Sequence, residues 1–325
     1  MLFSLLLFAC NATAVWGDAP PKRPNALAHR AIVISVDGLR PDLLIRADTP
    51  NIRALMELGS FSMWARTTDA AVTLPSHTTM LTGVAPEKHG IHFNNDGPDV
   101  PVYPDVPTLF EFGKRVGYTT GIASGKSKFS ILAKPGTIDF PKIPDRSTGY
   151  EDDIVAKNAS ELILANGVEI LLIHFAGNDK AGHKHGWGTP EQLAALEGID
   201  KAIGVVLDAL RDAKRLDETL IILSADHGGQ GKSHGKDDMR SRHIPWIAVG
   251  PGIHKNLDLT RFKDLNIRTE DTFATVCRFL DIPVEGEVDG KSVELIREDA
   301  ELMATVPAPA TSQPAATTAP VSAAR

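Results

Sequence analysis

The sequence predicts an α/β fold built on a mainly parallel central sheet with helices on both faces. Three apolar runs, at residues 31–36 (AIVISV), 169–175 (EILLIHF) and 220–223 (LIIL), lack regular polar alternation, as strands buried on both faces do. Each run is followed within a few positions by an acidic residue: Asp37, Asp179 and Asp226. Segments with helical character separate the runs, so the strands connect by crossovers and lie parallel.

In chain order, residues 49–58 read as a helix, with Thr49 at its cap and Pro50 at its first position. In TLPSHTTMLTG, residues 73–83, Ser76 reads as the N-cap of a short helix that Gly83 ends. Thr73 then stands just before a helix N-terminus, where free N–H groups and the dipole favour anions. Residues 108–116 read as a helix and 118–123 as a strand, followed by Gly125-Lys126-Ser127-Lys128. A Lys-x-Lys pair is most simply a solvated face, but here it follows a strand end, the edge at which α/β sheets bind ligands.

Residues 151–166 read as a helix. Beyond the second apolar run, Asp179 and His183 are four residues apart and share one face of a helical turn. Residues 190–213 form a long amphipathic pattern leading to the third run, which stops at Asp226-His227. Gly228, Gly229 and Gly231 allow the backbone to turn tightly, and His234 comes back within reach. Residues 245–249 (PWIAV) read as a further strand and 269–280 as a closing helix. Aspartate and histidine at strand ends offer oxygen and imidazole ligands to a borderline divalent metal.

The chain has 325 residues, 42% of them hydrophobic and 23% charged, enough for one large domain with a full core, assigned to residues 28–303. A net charge of −7 argues against nucleic acid as a partner. Residues 1–17 read as an export signal, with an apolar run too short to span a bilayer as a helix. The expected location is therefore secreted or periplasmic. Leu7-Phe8-Ala9-Cys10 faintly matches a lipoprotein cleavage site, which would add a lipid anchor at Cys10. With Cys10 in the leader, Cys277 has no expected disulfide partner. Residues 304–325, rich in Ala, Pro and Thr, read as a disordered tail.

The ordered set of motifs resembles the type I phosphodiesterase/nucleotide pyrophosphatase family of the alkaline phosphatase superfamily. Val36-Asp37-Gly38 is similar to its first metal-ligand motif, and Thr73-Leu74-Pro75-Ser76-His77 to its nucleophile segment. Asp179-Lys180-Ala181-Gly182-His183, Asp226-His227-Gly228 and His234-Gly235 are similar to its later ligand motifs. The resemblance spans about residues 31–294.

It implies an alkaline-phosphatase-like three-layer α/β/α sandwich and two divalent metal ions, Zn2+ with Mn2+ as the alternative. Asp37, Asp226, His227 and Thr73 would hold one ion, and Asp179, His183 and His234 the other. Thr73 would attack phosphorus in a small-molecule phosphate ester and form a phosphothreonine that water hydrolyses. The resemblance places Ser76 where nucleotide pyrophosphatases carry an Asn, so Ser76 is expected to help bind the phosphoryl oxygens. Gly125-Lys126-Ser127-Lys128 is similar to the Lys-x-Lys or Lys-x-Arg motif of the superfamily's monoesterases and phosphonoacetate hydrolases, which makes Lys126 and Lys128 candidate substrate contacts. The alternatives are a phosphomutase, a non-catalytic binding protein with ligands lost, and a sulfatase, which would carry Cys or Ser where Thr73 stands. Oligomeric state is left open.

Overall fold

The computed structural model describes residues 25–96, 102–235 and 238–299; the leader, Cys10, Lys236-Asp237 and the tail lie outside the described residues. Eight strands form one sheet: β1 (Arg30–Val36), β2 (Ser60–Arg66), β3 (Thr120–Ser124), β4 (Phe140–Lys142), β5 (Ile170–Phe175), β6 (Thr219–Ser224), β7 (His243–Val249) and β8 (Leu257–Asp258). Their spatial order is β4-β3-β5-β1-β6-β7-β2-β8. The three apolar runs of the sequence are thus the three adjacent central strands β5, β1 and β6, and nearly every residue in them is buried.

The sheet is parallel except at β7, which runs against both of its neighbours, β6 and β2. Strands therefore do not alternate with helices throughout, as the sequence pattern suggests. Among the described residues between β6 and β7 the only helix is a single turn, and without a crossover the strand returns antiparallel. Strand β2 escapes pattern reading for a related reason. Its buried positions are Ser60, Ser62 and Ala65, whereas Trp64 is exposed, so the apolar residues do not mark the core face.

The helices are α1 (Pro41–Arg46), α2 (Pro50–Leu58), α3 (Thr73–Thr82), α4 (Pro86–His89), α5 (Leu109–Arg115), α6 (Asp152–Leu164), α7 (Gly177–His185), α8 (Pro190–Asp212), α9 (Met239–Arg242) and α10 (Asp271–Phe279). One layer centres on α8, which packs on α2, α6 and α7; in the other, α3 packs on α5 and α10. This is the three-layer α/β/α arrangement.

Helix α3 begins at Thr73, not at Ser76. Extended Val72 is its N-cap, and the Ser76 N–H already donates to the Val72 carbonyl at 3.1 Å. Gly83 ends the helix in the left-handed conformation (φ 72°), as expected. Cys277 is buried and unpaired. Among the described residues no helix is long and apolar enough to cross a membrane.

Candidate active site

The central strands end together. Ser35 of β1 is level with His174 of β5 and Ser224 of β6, so the segments beyond these strands meet at one edge of the sheet. Asp37 follows β1 directly. Beyond β5, helix α7 carries Asp179 and His183, and beyond β6 come Asp226 and His227. A single indole packs these segments together. The Trp187 Nε1–H donates to the Gly38 carbonyl at 2.9 Å, and the ring leaves no room for a side chain at Gly182 or Gly229.

Backbone carbonyls set the tautomers of three histidines. The Nδ1–H groups of His227, His183 and His234 donate to the carbonyls of Gly228 (2.8 Å), Lys232 (3.0 Å) and Ala71 (3.0 Å). Ala71 adopts φ +44° to present its carbonyl. Each ring therefore offers Nε2 as a free acceptor, the arrangement that prepares histidine to ligate a metal.

The acceptors converge without donors. His227 Nε2, Asp37 Oδ1, Asp179 Oδ1 and Asp226 Oδ2 are all buried with no hydrogen-bond partner among the described residues. His227 Nε2 lies 3.4 Å from Asp37 Oδ1 and 3.3 Å from Asp226 Oδ2. His183 Nε2 lies 3.3 Å from Asp179 Oδ1 and 3.1 Å from His234 Nε2, and His234 Nε2 is 3.9 Å from Asp179 Oδ1. Lone pairs facing each other this closely repel unless a cation sits among them. Four ligands about 2.0–2.1 Å from a tetrahedral ion stand roughly 3.3–3.4 Å apart. Most of these separations match that spacing, so the residues fit two divalent ions. The ligand atoms of Asp37, Asp179 and His227 also lie within 4.8 Å of one another, so the two half-sites adjoin.

Charge in the site is tightly managed. Burial opposes ionisation of Asp37, but the Lys126 ammonium and a hydrogen bond from His174 outweigh it and hold its carboxyl well below the usual range. Burial, with the charge of Asp37, pushes Asp226 up to about 7. Burial likewise pushes His234 down to about 4, whereas the Asp179 carboxylate beside it raises His183.

Thr73 is the first residue of α3 and 1% exposed, and its hydroxyl has no hydrogen-bond partner among the described residues. Buried His77 fixes its backbone. The His77 Nδ1–H donates to the Thr73 carbonyl at 2.8 Å and stands 3.5 Å from Asp226 Oδ2, while Ser35 Oγ donates to Nε2 at 2.7 Å. Ser76 does not meet its expectation. Its Oγ donates inward to the Asp226 carbonyl at 2.7 Å and its N–H is used within the helix, so neither group is free for a substrate. The amide at the start of α3 is that of Asn94, whose Oδ1 accepts from the Leu74 N–H at 2.9 Å. Both lysines turn toward the site rather than to solvent. Lys128 Nζ donates to Asn94 Oδ1 at 3.0 Å, and Lys126 Nζ contacts Asp37 and Asp179.

Comparison with known proteins supplies the identity. The type I phosphodiesterase/nucleotide pyrophosphatase family matches residues 31–99 and 137–241. The chain belongs to this family. Its relatives include an uncharacterized pyrophosphatase/phosphodiesterase of Schizosaccharomyces pombe, 26% identical over 70% of this chain and 50% of that protein. Another is human ectonucleotide pyrophosphatase/phosphodiesterase family member 5, 23% identical over 70% of this chain and 49% of that protein. The chain thus spans about half the length of these two relatives. Among solved structures, an inactive variant of murine ectonucleotide pyrophosphatase/phosphodiesterase 5 in complex with AMP superposes with a TM-score of 0.66 at 14% identity, covering 83% of this chain and 99% of that one. The phosphonate monoester hydrolase of Agrobacterium radiobacter gives 0.62 at 16% identity, covering 83% and 77%. At these identities the superpositions establish the shared fold.

In this family member, three residues at the site escaped the sequence reading. His174 stood in view as the one polar side chain inside an otherwise apolar strand. His77 lay within the nucleophile segment but was read only as motif context. Asn94 belongs to a loop with no periodicity, and nothing in the sequence alone ties it to α3.

Proposed function

We propose that this protein hydrolyses phosphoric esters, with Thr73 as nucleophile and a phosphothreonine intermediate. The observation that supports it most is the convergence of three buried carboxylate oxygens, partnerless among the described residues, with three Nε2-presenting histidines beside an unengaged threonine hydroxyl. Asp37, Asp226, His227 and Thr73 would hold one divalent ion, and Asp179, His183 and His234 the other. Such a pair supplies charge to favour a threonine alkoxide and to clamp the attacking and leaving oxygens.

The chain's own groups do the rest. His77 fixes the Thr73 carbonyl, and so the direction from which Oγ1 meets phosphorus. The Asn94 amide hydrogens have no partner among the described residues and can donate to a phosphoryl oxygen; their Oδ1 is held by Leu74 and Lys128. Lys128, whose pKa is lowered by burial and by Lys126, adds positive charge on the same side. A monoester carries about two negative charges and a diester about one, so Lys128 favours monoesters. The AMP held by the murine relative and the phosphonate hydrolase fold make nucleotides, aryl monoesters, aryl diesters and phosphonates the panel to try. Residues 1–17 read as an export signal, which supports a secreted or periplasmic setting.

The test is acid quench of zinc-loaded protein during turnover of an aryl phosphate, followed by peptide mass spectrometry. Phosphate on Thr73, and its absence with Thr73→Ala, is the expected result, with the zinc content of both proteins measured alongside. Steady turnover by Thr73→Ala overturns the assignment.

A further inference from the structure

Lys126 was expected among the substrate contacts, but its surroundings point elsewhere. Its side chain is 17% exposed, and its Nζ donates to Asp37 Oδ2 at 2.6 Å and to Asp179 Oδ2 at 2.7 Å. One carboxylate belongs to each half-site. In both, the oxygen held by Lys126 is the outer one, and the inner Oδ1 is the partnerless atom. The lysine backbone is itself anchored, its N–H donating to Ser124 Oγ at 3.1 Å and its carbonyl accepting from the same hydroxyl at 3.0 Å.

The two carboxylates are not equally dependent on this ammonium. Asp37 Oδ2 also receives the His174 Nε2–H at 2.9 Å, whereas Lys126 is the donor recorded for Asp179 Oδ2. Lys128, two residues on, reaches Asn94 instead. The Lys-x-Lys pair therefore divides its work across the site.

Resting on the two-ion reading above, we propose that Lys126 is a positioning residue that ties the two half-sites together through the outer oxygens of Asp37 and Asp179, while Lys128 faces the substrate. Fixing both outer oxygens sets the rotation of both carboxylates and the spacing of their inner oxygens. Without the tether, Asp179 loses its orientation, whereas His174 still holds Asp37.

The test is zinc binding by isothermal titration of the metal-stripped protein, without substrate, in wild type, Lys126→Met, Lys126→Arg and Lys128→Met. Wild type should bind two zinc ions. Lys126→Met should weaken one of them by about ten- to a hundredfold, the usual effect of losing a group that orients a ligand. Lys126→Arg, whose fork spans two carboxylates, should recover most of that loss. Lys128→Met should leave zinc binding unchanged. In kcat/KM, Lys126→Met should lower aryl monoester and aryl diester turnover by the same factor, and Lys128→Met the monoester more. If Lys126→Met leaves zinc binding unchanged, tightens it at both sites, or lowers only monoester turnover, Lys126 is not the tether. A wild type that binds no zinc removes the two-ion reading itself, an outcome distinct from two intact sites indifferent to Lys126.

Discussion

Asp37, Asp226 and His227 stand at the ends of two adjacent central strands and are closed off from solvent, whereas Asp179, His183 and His234 come from a helix and a glycine-rich loop, with the His183 side chain 46% exposed. The strand-end set is fixed by the register of the sheet. Asp226 Oδ1 accepts from the N–H groups of Gly38 and His227, tying the ends of β1 and β6 to each other. The helix-and-loop set is held by the carbonyls of Lys232 and Ala71. The same residue types are thus fully enclosed in one set and open to solvent at His183 in the other, so we expect the first to be rigid and the second adjustable. An ion in the first should exchange slowly, and one in the second readily.

The hardest blow to this contrast comes from removing a strand-end ligand. Asp226→Ala should strip zinc from the buried half-site and lower kcat by about a thousandfold or more, the scale of losing a main electrostatic contact in a transition state. His183→Ala should keep the buried ion and lose the outer one. Metal content after desalting, read by plasma mass spectrometry, compares them, and a greater loss in His183→Ala would reverse the assignment of rigidity. More gently, a timed challenge with a zinc chelator should release one equivalent fast and the second slowly. A single release phase would mean that the halves do not differ.

Lys128→Met should lower kcat/KM for an aryl monoester by about tenfold to a hundredfold, the value of roughly 1.5–3 kcal/mol for one charge-assisted contact, with a smaller fall for a diester. Equal falls would move Lys128 out of substrate binding.

An effect on stability rather than on turnover concerns the seat of α7. Asp152 Oδ1 accepts from the Ala176 N–H at 2.9 Å, and Oδ2 from the Gly177 N–H at 3.1 Å, at the start of the helix that carries Asp179 and His183. Burial raises its carboxyl from 3.8 to about 6 despite these bonds. Between those values the folded chain holds a proton that the unfolded chain has lost, so the contribution of Asp152 is full below pH 3.8 and declines as pH rises through about 6. Asp152→Asn cannot ionise. Its stability relative to wild type should rise between pH 4 and 7 by on the order of 2–3 kcal/mol, followed by urea melts of metal-stripped protein. A flat difference across that range would show that Asp152 titrates normally.

Much of this architecture could be read in advance because its clustered Asp and His residues follow buried strands. An apolar run followed by an aspartate marks both the strand and the edge where these residues gather, which is why β1, β5, β6 and the acidic residues beyond them were legible. Where the core face is made of serine and alanine, as in β2, hydrophobicity carries no signal. Ser76 misled because a hydroxyl residue early in a helix suits an N-cap, yet the chain enters α3 through extended Val72. The outer partners of Asp37 and Asp179 were hidden for another reason: Lys126 reaches them across 89 and 53 residues of sequence, and no local pattern encodes such pairings.

Trp187 carries a consequence for how this sequence can drift. A Cβ at Gly229 would stand 2.3 Å from the indole and one at Gly182 2.8 Å, and Gly38, at φ +72°, would bring one to 3.2 Å. These positions lie in three separate segments, yet each answers to the same ring. A step at Gly182 or Gly229 is blocked while the tryptophan stays, and shrinking the tryptophan first leaves a void that no single glycine change refills; Gly38 is held besides by its positive φ and by Asp179. Trp187, Gly182 and Gly229 are therefore locked by epistasis: Gly229→Ala should be tolerated only alongside a smaller ring at position 187, and the double variant should melt higher than Gly229→Ala alone.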